Sequence, residues 1–306
     1  MKLVLANNQS DRFVAFYQSL QQQSAEPFDY SGYQSLLFMF DHGAAQPIVV
    51  KNLAENKDLT DYNGVYINGY LNSYELAATV AICAQALGVP YVNKELGQAP
   101  SLSKLTSYAR LAAAGVRLPK TLAGSKAALL SASEYYPKTF FPAVLKRADA
   151  DRGIDNLKVA SAAEVVAALL SHDDRSIWIL QAYIENSGYY LVSFYDQKPV
   201  FCIFRSLEAR ADGNAQKAHM FKPKGGINAA LIDLPKLPAQ IIYDTQRAIN
   251  ALDRQIGSVD CLFDPVSGQV YTLEVNYNPQ LVTIETFKDV RIKAFLDNIN
   301  RDWSKA

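Results

Sequence analysis

Val259-Asp-Cys-Leu-Phe-Asp264 and Tyr271-Thr-Leu-Glu-Val-Asn276 are two strand-like runs, and Pro265, Ser267 and Gly268 between them spell a hairpin turn. Side chains alternate along a strand. Tyr271, Leu273 and Val275 therefore share one side of the second run, with Thr272, Glu274 and Asn276 on the other; in the first run Val259, Cys261 and Phe263 oppose Asp260. A hairpin centred near Ser267 sets Asp260 directly across from Glu274, both being seven positions from that centre. Facing carboxylates repel, which costs stability unless something positive sits between them. Asp260, Glu274 and Asn276 offer only oxygen, the ligand type of a hard cation, and magnesium held together with substrate phosphates suits that set. The plain alternative is the solvated polar face of an edge hairpin.

Around this hairpin the second half of the chain reads as α+β and antiparallel, with strands over 190–195 and 200–205 and a helix over about 239–256. Upstream, the strand Phe141-Pro-Ala-Val-Leu-Lys146 runs into the polar loop Asp149-Ala-Asp-Arg-Gly153, and Leu157-Lys-Val-Ala160 returns as its antiparallel partner. A lysine leaving an apolar strand can hold its ammonium at a phosphate while its stem packs in the core. Lys146 fits that description, and it fits equally a lysine snorkelling from an edge strand beside Arg147. Ser161-Ala-Ala-Glu164 is a capping box that opens a helix to about residue 170, and Ile177-Trp-Ile-Leu-Gln-Ala-Tyr-Ile184 is a strongly apolar strand.

In the first 97 residues strand and helix alternate: strands at 2–6, 35–40, 62–67 and 90–93, helical spacing through Phe13, Phe16, Tyr17 and Leu20, and a helix from Tyr74 to Leu87 stopped by Gly88. That order predicts an open α/β domain with a largely parallel sheet. Ser103 or Ser101 can cap a further helix running to Ala114, with Gly115 as its stop, and Ser125 begins another.

The 306 residues suffice for two or three packed domains, and 49% hydrophobic content with a mean hydropathy of -0.06 argues against a disordered chain. Thirty basic residues balance thirty acidic ones, so no global charge draws the protein to nucleic acid. No run reaches the length of a membrane span, and the polar residues from Asn7 onward leave no signal-peptide core. Cys83, Cys202 and Cys261 lie far apart in apolar settings, as buried free thiols of a reducing compartment do, so a cytoplasmic location is expected.

Taken in order, these features resemble the ATP-grasp superfamily, in the branch of the ribosomal-protein glutamate ligases and bacterial glutathione synthetase. The resemblance runs from about Asn93 to Glu285 and implies a three-part chain: an α/β N-terminal domain over 1–97, then an α+β ATP-grasp fold whose subdomains, 98–184 and 185–306, sandwich ATP. Ser103-Lys104 ahead of Gly115-Val-Arg-Leu-Pro-Lys-Thr121 matches the segment from which a lysine reaches an ATP phosphate, which gives Lys104 that role. Phe141 to Lys146 matches the strand of the second phosphate lysine, and Asp149 to Ile154, with Gly153, stands in place of the loop that covers the phosphates. Gln181, Ala182, Tyr183 and Ile184 match the hinge whose backbone reads the adenine edge. Arg205 stands where an arginine meets the γ-phosphate or acyl phosphate, and Gly225-Gly226 matches a following glycine pair. Asp260, Glu274 and Asn276, followed by Pro279, match the magnesium site.

The departures are local. Tyr189 and Leu191 stand where a D-x-R pair is usual, Phe221 where an Asn is usual, and the loop after Lys146 is poor in glycine. Replacement cations would come from Arg210, Lys217, His219, Lys222 and Lys224, otherwise a solvated loop. Asn7, Asn8 and Ser10 after the first strand could meet a substrate, or could turn the chain and cap the next helix. The resemblance implies ATP and Mg²⁺ as cofactors, with Mn²⁺ as a substitute. It also implies an enzyme that joins a carboxylate substrate to an amine acceptor, which is an amino acid, a peptide or a protein side chain. Nucleic acid and membrane are not among the partners, and a homo-oligomer stays open. The alternative is an ATP-binding regulatory or scaffold protein that keeps the fold without ligating.

Overall fold

A computed structural model describes residues 1–6, 11–24, 27–68, 70, 73–98, 103–133, 136, 138–148, 156–172, 176–206, 229–276 and 287–299. The chain divides into two units, the first made of 1–115 with 120–183 and the second of 116–119 with 184–306.

The first unit holds two sheets. Strands β1 (Lys2–Ala6), β2 (Phe28–Gly32), β6 (Gly64–Ile67) and β7 (Tyr91–Val92) form a parallel sheet in the order β2-β1-β6-β7. The second is antiparallel and seven-stranded, built from β3 (Leu36–Phe40), β4 (Ile48–Asn52), β5 (Lys57–Asp58), β8 (Thr121–Ser125), β9 (Ala143–Arg147), β10 (Leu157–Val159) and β11 (Ile177–Ala182), in the order β10-β9-β11-β8-β3-β4-β5. The strand expected over 35–40 therefore does not join the parallel sheet. Leu36 to Phe40 pairs antiparallel with both β4 and β8, so its apolar run is buried on both faces of a sheet interior, where periodicity alone cannot say which sheet it enters.

Helices α1 (Asp11–Gln23), α2 (Tyr74–Ala86), α3 (Lys104–Ala113), α4 (Lys126–Ser131) and α5 (Ala162–Leu170) complete this unit. Every residue of α2 from Leu76 to Ala84 is buried, because α2 packs on β6 and β7 as well as on β4 and α3. One face of the seven-stranded sheet carries Leu122, Leu145, Trp178 and Leu180 in a core with Leu129, Val165 and Leu169 of α4 and α5. Ser161 caps α5 by accepting from the Glu164 amide, and the Glu164 carboxylate reaches back to the Ala160 amide, one residue earlier than the reciprocal pattern of a full capping box.

The second unit is a five-stranded antiparallel sheet of β12 (Gly188–Tyr195), β13 (Lys198–Ser206), β14 (Ala229–Ile232), β15 (Ile256–Asp264) and β16 (Gln269–Asn276), in the order β14-β13-β12-β15-β16. Helix α6 (Ala239–Ala251) buries Ile241, Thr245, Ala248 and Ile249 against one face, that of Gly257, Val259 and Cys261. Helix α7 (Lys288–Ile299) covers part of the other, where Val290 and Ala294 pack on Leu191, Phe201 and Ile203. All three cysteines are free and buried. Among the described residues no helix is long and apolar enough to cross a membrane.

Candidate functional site

In the first unit the two candidate lysines meet at one corner. Lys146 is opposite in facing to Leu145, which lies in the α4–α5 core, so its side chain rises on the α3 side of the sheet. There its Nζ donates to the Tyr108 hydroxyl at 2.8 Å and to Gln181 Oε1 at 2.9 Å. Gln181, 4% exposed, is held in turn by donating from Nε2 to Thr121 Oγ1 at 3.0 Å. Tyr108 is one turn beyond Lys104 on α3, and Lys104 Nζ reaches the carbonyl of Ala148, just past β9, at 3.5 Å. Ser103 fixes the start of α3 by accepting from the Thr106 amide. Tyr108 has no site role in the sequence reading, and Thr121 enters it only as the end of the segment from Gly115 to Thr121. The i, i+4 spacing of Lys104 and Tyr108 was the available signal.

The four hinge residues divide. The Ala182 amide donates to the Lys120 carbonyl at 2.8 Å and the Tyr183 amide to the Pro142 carbonyl at 2.9 Å, while Gln181 sits in the ladder between β8 and β9. These amides are spent within the protein. The Ile184 amide, the next along, has no hydrogen bond among the described residues.

In the second unit the hairpin pairs Asp260 with Glu274, by a different route from the one expected. From the turn the register runs Asp264 with Gln269, Phe263 with Val270, Leu262 with Tyr271 and Cys261 with Thr272; unbroken, it would set Asp260 against Leu273. A bulge after Cys261 gives β16 one extra residue and brings Glu274 opposite Asp260. The same bulge overturns the expected face of Thr272. Thr272 lies with Cys261 on the α6 side, 1% exposed, and Tyr271 shares the side of Glu274 and Asn276. The turn is shaped by Asp264, which accepts from the Val266 amide and the Ser267 hydroxyl, and by Gly268 at φ +67°.

Asp260 Oδ1 is sealed from solvent and has no hydrogen-bond partner among the described residues. Burial first, then the facing Glu274, push the Asp260 carboxyl up to about 7, against the pull of Arg205. Arg205 lies on the same face: it pairs with Tyr189 across β13 and β12, and its Nη1 donates to the Tyr189 hydroxyl at 2.8 Å. Burial and the charge of Asp260 push that phenol up to about 12, while Arg205 lowers it. A side chain at Gly188 would run into the Arg205 carbonyl, so glycine there lets β12 pass close to the arginine. Leu191, in line with Asp260 across β12 and β15, is buried under α7.

The donor set suits a hard divalent cation. Asp260, Glu274 and Asn276 share one face, all offer oxygen, and one buried carboxylate oxygen is orphaned. Gly153 with the rest of the loop 149–154, Asn7, Asn8 and Ser10, Gly225-Gly226, Phe221, the basic residues from Arg210 to Lys224, and Pro279 lie outside the described residues.

Neither a protein-family profile nor a curated protein sequence matches the chain. Solved structures do. D-alanyl-alanine synthetase A from Vibrio cholerae O1 is 13% identical over 98% of this chain and 98% of its own, with a TM-score of 0.51. D-alanine–D-alanine ligase from Bacillus anthracis is 17% identical over 97% of this chain and 93% of its own, at 0.48, and the ATP-grasp ligase PsnB with minimal precursor, Mg and ADP is 12% identical over 94% and 91%, at 0.46. The likeness to the Vibrio structure spans both units, and the fold is the ATP-grasp fold that the sequence resembles.

Proposed function

We propose that the chain is an ATP- and magnesium-dependent carboxylate–amine ligase. The observation that carries this reading is the Asp260–Glu274 pair, brought face to face by a bulge with a buried oxygen left unpartnered on a face that also presents Asn276 and Arg205. Asp260, Glu274 and Asn276 would hold the metal, which when bound supplies neutralisation of the polyphosphate charge. Lys104 and Lys146 take the ATP phosphates, and the Ile184 amide takes an acceptor nitrogen on the adenine edge. Lys146 is suited to this because both of its hydrogen-bond partners, Tyr108 and Gln181, are neutral, so its charge is available to an incoming anion.

In the reaction a carboxylate oxygen of the acid substrate attacks the γ-phosphorus. The new O–P bond forms as the bond to the β–γ bridging oxygen breaks, and ADP leaves with that electron pair. Arg205, kept in place by Tyr189, meets the charge on the transferring group. The amine acceptor, an amino acid, peptide or protein side chain, then attacks the acyl carbon. The C–N bond forms, the C–O bond to phosphate breaks, and the amine gives up a proton.

ADP and phosphate release from Mg-ATP, measured with pools of amino acids, short peptides and small carboxylic acids, tests the reading with Glu274→Gln as control. Release that depends on a pool and on Glu274 is the expected result; release unaffected by Glu274→Gln refutes the assignment. Leu191, buried and apolar where the resemblance leads one to expect an arginine, favours a second reading, an ATP-binding protein that does not ligate. That protein would bind Mg-ATP and release no ADP with any acceptor.

A further inference from the structure

Lys158 pairs with Val144 across β10 and β9, Val144 with Gln181 across β9 and β11, and Gln181 with Thr121 across β11 and β8. Residues paired directly across a sheet share a face, and Val144 is two positions from Lys146. Lys158 therefore lies on the face that carries Lys146 and Gln181. It is exposed, and Val144 beside it is half-buried. Its ammonium stands 3.7 Å from the centroid of the Tyr183 ring and makes no hydrogen bond or ion pair among the described residues. Tyr183 prolongs β11, since its amide donates to the Pro142 carbonyl at 2.9 Å. With β9 lying between β10 and β11, the Lys158 side chain crosses β9 on the Val144 face to reach that ring.

The two ends of β9 differ. Lys146, and the Ala148 carbonyl that Lys104 reaches, lie at its far end. Pro142, which meets Tyr183, stands just before its start, roughly 13 Å along the strand from Lys146. The Lys158 ammonium is drawn to the Tyr183 end, and this position separates it from the two phosphate lysines. On the ligase reading the phosphates lie with Lys104 and Lys146, so the end held by Tyr183 and Lys158 falls to the nucleobase, with Val144 as an apolar floor. A ring face holds an exposed ammonium weakly and leaves its three N–H donors without an acceptor. A purine brings an acceptor: N7 lies beside the exocyclic amine of adenine, on an edge that a backbone amide reading N1 leaves open.

We propose that Lys158 is a specificity-determining residue that donates a hydrogen bond to N7 of the purine base. The proposal rests on the ATP binding of the ligase reading and not on ligation. Calorimetric titration of the full chain with ATP and with 7-deaza-ATP, each in excess magnesium, tests it on the wild type, Lys158→Met and Lys158→Arg. The analogue carries a C–H in place of N7 and the same phosphates. The wild type should bind ATP about five- to tenfold more tightly than the analogue, the scale of a hydrogen bond from a charged donor. Lys158→Met should bind the two alike, and Lys158→Arg, which keeps a charge and N–H donors, should still prefer ATP. Because Lys158 is exposed, Lys158→Met should melt within about 1 °C of the wild type. A lysine that merely propped Tyr183 would lower Tm when removed and leave the preference for ATP intact. Equal binding of the two nucleotides by the wild type overturns the contact at N7. Equal weakening of both by Lys158→Met places the lysine on the phosphates, and an unchanged preference in that variant places it outside the site; each overturns the proposal. Failure of the wild type to bind either nucleotide is a separate result, which removes the ligase reading and the base contact together.

Discussion

Lys146 on β9 and Asp260 on β15 are both charged residues on inner strands of antiparallel sheets, and the chain treats them in opposite ways. Lys146 is held by two neutral groups, and one of them, Gln181, is itself anchored by Thr121. Its position is fixed and its charge is unspent. Asp260 faces another carboxylate and keeps an oxygen with no partner among the described residues, with Arg205 as the opposing charge. A cation held by neutral acceptors waits for an anion at little cost, because those hydrogen bonds survive when the ligand leaves. Two facing carboxylates are strained until a cation arrives. On the ligase reading proposed above, the first arrangement would receive a phosphate of the nucleotide and the second the metal.

The contrast can be broken most sharply on the acid side. Glu274→Gln keeps the shape and removes half of the facing pair, and turnover of ATP should fall by about a thousandfold or more with the circular dichroism spectrum unchanged, the scale of losing a central electrostatic group. On the lysine side, Lys146→Met should cost about a hundredfold in ADP release. Gln181→Leu, which leaves the lysine held by Tyr108 alone and removes the hydrogen bond to Thr121, should cost less in turnover and more in Tm.

A stability measurement separates the two sides without any substrate. The Asp260 carboxyl titrates near 7 in the fold, against an ordinary 3.8. Between those values the folded protein holds a proton that the unfolded chain has released, so the contribution of this group falls as pH rises from about 4 to about 7 and is flat above. The metal-free wild type should therefore lose a few degrees of Tm between pH 5 and pH 8 that Asp260→Asn does not lose, and magnesium at pH 8 should restore them in the wild type alone. A variant slope equal to that of the wild type would show that Asp260 is not the strained group. The smallest effect is expected at Tyr189→Phe, which frees Arg205 from one hydrogen bond and should lower turnover about three- to tenfold, with Tm nearly unchanged.

The two regions also differ in how far the sequence exposes them. Facing of Asp260 and Glu274 follows from counting outward from the turn, yet that count omits the bulge, and so it sets Thr272 on the wrong side while naming the right pair. Strand alternation is a local rule, and an inserted residue is invisible to it. Lys146 is legible as a lysine ending an apolar run, but Tyr108 and Thr121 come from a helix and a strand distant in sequence, and β8, Thr121-Leu-Ala-Gly-Ser125, is too rich in small residues to read as a strand. Arg291 carries no motif at all, and only the packing of α7 on Leu191, Phe201 and Ile203 buries it near the Phe201 ring. Helices were legible from their caps, at Ser103 and Ser161 above all, because a cap satisfies amides within four residues of itself.

Whether the facing carboxylates hold the metal that accompanies the nucleotide is tested most directly by titration of ATP with and without magnesium, by calorimetry on the wild type and Glu274→Gln. The wild type should bind ATP at least tenfold more tightly with magnesium than without it, and Glu274→Gln should lose that difference while binding metal-free ATP as before. An equal magnesium effect in the two proteins would contradict the assignment and move the metal away from the Asp260–Glu274 pair.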